Sequence, residues 1–216
     1  DDISQLAETF NAMLDRIQAA YDTQRRFVDD AGHELRTPIT VIRGHLETMD
    51  PTEDPAARAE TLRLVDSELD RMSRIVTDLL TMAKSERPDF VRPRTVDAAE
   101  LLLDIESQAQ QLGDRRWELV EIAEGEATLD PQRVTQAVLQ LASNAVTHTG
   151  PGDTIRLGSR WVREGDVPRL VVSVSDTGPG VAPEDAERIF RRFDRGTSGT
   201  SASGGAGLGL AIVSAI

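Results

Sequence analysis

Two glycine clusters carry the first chemical signal in this chain. Asp176-Thr177-Gly178-Pro179-Gly180 follows the apolar run Leu170 to Val174, and Gly204-Gly205-Ala206-Gly207-Leu208-Gly209-Leu210 opens a second apolar run. Glycine allows close backbone approach and positive φ, and exposed amides at a helix start attract phosphate. One such cluster reads as an ordinary turn. Two of them, one after a strand that ends in Asp176 and one at the start of a helix, favour a nucleotide pocket. The Gly-Lys-Ser/Thr ending of a P-loop is absent, and so are the segments that mark eukaryotic-type kinases. A Rossmann fingerprint also fails, because the second cluster follows the small residues 196–205 rather than a strand.

The elements that must position these clusters divide into two kinds. Ile3, Leu6, Phe10, Met13, Ile17, Ala20, Gln24, Phe27 and Ala31 recur at steps of three and four, a heptad seam broken only by Gln24. The pattern continues through Leu35 to about Met49, with a kink expected at Pro38. Asp50 to Pro55 is a breaker cluster, and a second heptad follows at Leu62, Val65, Leu69, Met72, Val76, Leu79 and Ala83. Two long helices joined by a short turn predict an antiparallel hairpin. Such a hairpin buries its seams poorly alone. Two hairpins would close a four-helix bundle, so a homodimer is favoured over packing on the chain's own second half.

Ser85 to Pro93 reads as a linker. Beyond it the pattern turns mixed α/β: a helix over Ala98 to Leu112, a strand over Trp117 to Ile122, and a helix capped by Asp130 that begins at Pro131 and runs to about Thr147. Thr154 to Leu157 and Leu170 to Val174 read as strands stacked against helices. The composition agrees with this division. Of 216 residues, 4% are aromatic, which suits helices packed with Leu, Val, Ile and Ala. A net charge of −13 opposes attraction to nucleic-acid phosphates, and no nucleic-acid partner is expected. The absence of cysteine excludes disulfides, thiolate zinc sites and thiol catalysis.

Five segments then resemble, in order, the boxes of sensor histidine kinases. Phe27 to Pro38, containing His33-Glu34-Leu35-Arg36-Thr37-Pro38, is similar to the phosphoacceptor box. Leu139 to Ala145 resembles the N-box, Asp176 to Gly180 the first glycine box, Ile189 to Gly196 the F-box, and Gly205 to Leu210 the second glycine box. Asp1 to Met13 more loosely resembles the last helix of a HAMP linker, with Asp2 and Ser4 where Glu and Gly are usual. The resemblance implies residues 1–22 as the end of a HAMP-like linker and 23–86 as a dimerisation and phosphotransfer hairpin. A linker at 87–94 and an α/β-sandwich ATP-binding domain of the GHKL type at 95–216 would follow. The chain looks cut at both ends. A membrane span would lie upstream, and a further strand and helix after Ile216.

The resemblance also implies roles. His33 would be the nucleophile, since a neutral imidazole offers a lone pair near neutral pH. Glu34 would hold the other ring nitrogen's proton. Thr37, one turn on, would orient water for removing phosphate from a partner. Whether it does so or merely precedes a proline stays open. Asn144 would hold Mg²⁺, and Asp176 would accept from the adenine amino group beside Gly178 and Gly180. Gly205, Gly207, Leu208 and Gly209 would flank the phosphates as part of a lid, with Arg192, Arg195 and His148 near the phosphate charge. The implied activity is autophosphorylation by ATP on His33, followed by transfer to an Asp of a response regulator. The implied location is the cytoplasmic side of a prokaryotic cell membrane. Two departures stand out: Gln140 replaces a frequent Asn one turn before Asn144, and Thr147 replaces a frequent basic residue. ATPases of the same superfamily lack the His33-Glu34 box, and intact His33, Asn144 and Asp176 speak against a degenerate signalling module.

Overall fold

The computed structural model describes residues 2–49, 54–85, 87–194 and 206–216. Backbone packing divides the chain into two compact units, Asp1–Val76 and Thr77–Ile216.

The first unit is helical. α1 (Asp2–Thr48) runs unbroken through Pro38, and α2 (Pro55–Ser85) begins with a proline, whose missing N–H costs nothing in the first turn. The expected linker helix and the first hairpin helix are thus one continuous element. Few side chains are enclosed: among the described residues of this unit only Pro38 and Ile75 are buried. Leu6, Phe10, Met13 and Ile17 on α1 and Leu62 and Leu69 on α2 stay exposed. The second heptad differs from its expectation in one respect. Val65, Met72 and Leu79 are half-buried, but Leu62, Leu69 and Val76 face outward, while Ile75 and Met82, outside that heptad, are buried. α2 carries two neighbouring apolar stripes, and packing within one chain uses the one through Ile75.

The second unit takes in the last turns of α2, Thr77 to Ser85, so the division falls inside a helix rather than in the expected linker. The linker itself ends earlier than 94, because β1 (Arg94–Asp97) starts there. α3 (Ala98–Ala109) follows, its first turn capped by Asp97 Oδ1, which accepts from the N–H groups of Ala99 and Glu100 at 2.9 Å. A 3₁₀ turn (Gln110–Leu112) closes it. β2 (Arg116–Glu121) and β3 (Glu126–Leu129) come next. β1 pairs antiparallel with β3, from Arg94↔Leu129 to Asp97↔Glu126. Neither four-residue strand was expected.

α4 (Pro131–His148) starts as anticipated: Pro131 opens it and Asp130 caps it. β4 (Thr154–Glu164) and β5 (Val167–Asp176) form a long hairpin around Gly165, at φ 65°. The sheet order is β2-β4-β5, with β2 parallel and β5 antiparallel to β4. Leu101, Ile105 and Ala109 of α3 and Val138 and Ala142 of α4 form one core with Leu157 of β4, flanked by Trp117, Leu119, Val172 and Val174. Helices therefore lie against a mixed sheet, as the alternating pattern implied. α5 (Gly209–Ala215) packs on α4 with Ala211 and Ile212 buried. Among the described residues no helix is long and apolar enough to cross a membrane.

Asp130 ties these parts together. It is 8% exposed. Oδ1 accepts from the N–H groups of Gln132 and Arg133, and Oδ2 from that of Arg92 at 2.8 Å. Burial pushes its pKa up, but these backbone donors and the Arg133 charge outweigh it and hold the carboxyl below its ordinary 3.8. The folded-state pKa is depressed, so the stability it contributes is present above the unfolded value and lost as pH falls through the folded one. Asp130→Ala should cost about 0.5–2 kcal/mol in urea unfolding at neutral pH. Asp130→Asn should flatten the acid-side loss of stability while keeping much of the cap.

Candidate active site

α4 turns its apolar side to the core and its polar side outward. Ala142 and Ala145 are buried, whereas Asn144, Thr147 and His148 are exposed. The Asn144 amide has no hydrogen-bond partner among the described residues. Thr147 is occupied, its hydroxyl donating to Ser143 O at 2.9 Å.

The carboxy-terminal end of α4 meets the loop after β5. Gly178 N–H donates to Asp176 Oδ1 at 2.8 Å. A Cβ on Gly178 would stand 2.8 Å from that same oxygen, 2.8 Å from the His148 carbonyl oxygen and 3.3 Å from Thr149 Cγ2. Only glycine fits, and the fit brings Asp176, Gly178 and the end of α4 together. His148 enters this contact through its backbone; its ring sits on an exposed position. Gly180 follows at φ 74°.

Three residues that pattern reading did not single out hold this arrangement. Arg115 donates to Val146 O at 3.1 Å, Thr149 O at 2.8 Å and Thr149 Oγ1 at 3.0 Å, closing carbonyls that end α4. Asp153 Oδ2 accepts from Gly150 N–H at 2.7 Å, and its Oδ1 from the Thr177 hydroxyl at 3.1 Å. Thr177 Oγ1 in turn accepts from Thr154 N–H at 3.1 Å. The Gly150 amide, then the Thr177 hydroxyl, hold the Asp153 carboxyl below its usual range. The sequence signal for Thr177 was its place inside the glycine box. Arg115 and Asp153 had none.

The second glycine cluster is held from both sides. Gly207 adopts φ 68°, and a Cβ there would lie 2.9 Å from the Phe193 carbonyl carbon. Phe193, itself at φ 62°, donates its N–H to Gly207 O at 2.9 Å. Leu208 is fully buried, which anchors this side. Gly209 opens α5, and a Cβ on it would stand 2.9 Å from Gln140 Oε1. Arg192 is half-buried. Arg195 and Gly205 lie outside the described residues.

His33, Glu34 and Thr37 sit on α1 in the other unit. His33 is exposed, Glu34 half-buried. Arg36 Nη1 lies 3.5 Å from His33 Nδ1, and the Thr37 hydroxyl donates to the His33 carbonyl at 3.2 Å.

Residues 23–88 match the His Kinase A (phospho-acceptor) domain, and residues 129–216 match the domain described as Histidine kinase-, DNA gyrase B-, and HSP90-like ATPase. The chain belongs to the sensor histidine kinases of two-component systems. It is similar to the probable sensor histidine kinase TcrY of Mycobacterium tuberculosis, 38% identical over all of this chain and 47% of that protein. It is similar as well to the signal transduction histidine-protein kinase/phosphatase MprB of Mycolicibacterium vanbaalenii, 33% identical over 99% of this chain and 44% of that one. The chain thus spans about half the length of the curated relatives it matches. Among solved structures, the Acinetobacter baumannii histidine kinase AdeS matches with a TM-score of 0.57 and 26% identity, over 85% of this chain and 84% of that one.

Gly207 is where the geometry is least forgiving, because a side chain would meet both a left-handed φ and the Phe193 backbone. Gly207→Ala should lower the unfolding free energy by more than the roughly 1 kcal/mol expected for a left-handed position alone. Gly180→Ala, in open space, should stay near that figure. Chemical denaturation of the two variants checks the contrast.

Proposed function

We propose that this chain is the catalytic portion of a sensor histidine kinase that moves the γ-phosphate of ATP onto His33 and then to an Asp of a response regulator. The observation that carries the reading is the pairing, in one chain, of an exposed His33 box with a cradle formed by Asp176, Gly178 and the end of α4, the helix that carries Asn144, whose amide has no hydrogen-bond partner among the described residues.

The residues fit a purine nucleotide with a divalent cation. Gly178 packs without a side chain against the end of α4, and the Asp176 carboxylate beside it has one oxygen on Gly178 N–H and a second oxygen to accept from an adenine amino group. The Asn144 amide is the candidate ligand for Mg²⁺, an ion that keeps several waters and needs few protein ligands. When bound, Mg²⁺ supplies neutralisation of phosphate charge. Arg192 and Arg195, with backbone amides of the Gly205–Gly209 segment, are the candidates for the remaining charge, since Lys84 is the only lysine.

At His33 a ring nitrogen lone pair forms the N–P bond while the bond from phosphorus to the ADP oxygen breaks. Glu34 is assigned to hold the proton on the other ring nitrogen and to stabilise the imidazolium that forms. A guanidinium has only donors, so the Arg36 contact favours a lone pair on Nδ1.

The hairpin supports a homodimer: a helical pair that leaves Leu62, Leu69 and Val76 exposed needs a second copy to close its bundle. Residues 1–22 fit a HAMP-like linker end, 23–86 the phosphotransfer hairpin and 95–216 the ATP-binding domain. That layout, together with the sensor kinases among the relatives, supports a position on the cytoplasmic side of a prokaryotic membrane with a membrane span upstream. Phosphatase action on the regulator is a second reading, favoured by Thr37 one turn after His33 and by the kinase/phosphatase named among the relatives.

Incubation with γ-labelled ATP and Mg²⁺ tests the main reading. Acid-labile, base-stable label should appear on the wild type and vanish in His33→Gln, while Asn144→Ala and Asp176→Ala should label poorly because nucleotide binding fails. Wild-type protein that binds ATP yet takes no label would sink the kinase assignment.

A further inference from the structure

Amide side chains at positions 136, 140 and 144 stand one helical turn apart on α4. The first two are engaged by the end of α2. Gln136 Nε2 donates to Thr81 Oγ1 at 3.2 Å, and Gln140 Nε2 donates to Asp78 Oδ1 at 3.1 Å. Thr81 is buried, and Asp78 and Gln140 are half-buried. Both partners belong to the same compact unit as α4.

Gln140 does more than fasten α2. Its other amide atom, Oε1, lies where a Cβ on Gly209 would come within 2.9 Å. One side chain therefore touches both the last turns of α2 and the residue that opens α5. The reach matters: asparagine is one methylene shorter and would not span from α4 to both. The amide also has only one NH₂ group. If Asp78 moves, that group loses a charge-assisted partner and must turn to find another, and Oε1 turns with it against Gly209. Gln136 with Thr81, and Arg133 stacked 4.1 Å from the Phe90 ring and donating to Phe90 O, keep α2 and the segment after it attached when Asp78 is altered.

We propose that Gln140 is a positioning residue that couples the carboxy-terminal turns of α2 to the Gly207–Gly209 segment, so that displacement of α2 changes affinity for ATP. Asn144, one turn further, is left for the nucleotide. The proposal rests on the nucleotide-site reading above. It makes the departure at 140 a functional one: the side chain serves α2 and α5 at once.

Because Asp78 has further interactions, the test is a double-mutant cycle. In the full-length protein, equilibrium binding of a non-hydrolysable ATP analogue with Mg²⁺ is measured for wild type, Asp78→Ala, Gln140→Asn and the double variant. Autophosphorylation gives KM and kcat separately. Each single variant should shift Kd by about fivefold, at the low end of typical site couplings, and the double should shift it no further. KM should follow Kd while kcat holds. Asp78→Asn, which keeps an acceptor, should stay near wild type. Additive shifts, an unchanged Kd in both single variants, or a change in thermal midpoint without a change in Kd would each overturn the coupling. Wild type that binds the analogue but leaves His33 unlabelled removes the kinase reading, while the binding cycle still decides the coupling. Wild type that binds no nucleotide overturns both.

Discussion

One helix has to satisfy two incompatible neighbourhoods, and the second unit is arranged around that demand. α4 packs Val138, Ala142 and Ala145 into the core while carrying Gln136, Gln140 and Asn144 on its polar side. A helix can do this only if its axial position and rotation are fixed, because a slip of one residue rotates every side chain by about 100°. Asp130 fixes where it starts, with three backbone donors on one carboxylate. Arg115 fixes where it ends, with one guanidinium on Val146 and Thr149. Asp153, accepting from Gly150 N–H and the Thr177 hydroxyl, ties the end of α4 to the loop after β5, and Gly178 is the point where their approach leaves no room for a Cβ.

The two glycine clusters use different physics. Gly178 is required by close approach, and Gly207 by close approach together with a left-handed backbone against Phe193. The first holds a carboxylate beside the end of a helix. The second joins Phe193 to Gly207 through a backbone hydrogen bond. Loops carry function when rigid elements hold their ends, and β5, α4 and α5 supply those ends here.

The hairpin follows another logic. Its helices present more apolar surface than one chain covers, and α2 divides that surface into adjacent stripes. The stripe through Ile75 is used within the chain; the stripe through Leu62, Leu69 and Val76 is not. Heptad spacing identifies apolar residues but does not say which stripe meets which neighbour, because two stripes on one helix differ by a small rotation.

What the sequence alone determined is local. The long helices, the Asp130 cap with Pro131 behind it, the β5 strand ending in Asp176 and the five motif segments are written within one or two turns of chain, where spacing and side-chain reach dictate structure. The tertiary structure decided the rest. β1 and β3 are four-residue strands of polar character that exist only because residues about thirty positions apart pair. Arg115 closes α4 from 31 and 34 positions away, and the Gln140 amide finds Asp78 across 62. Contacts over such separations depend on how whole elements pack, and no local pattern encodes them.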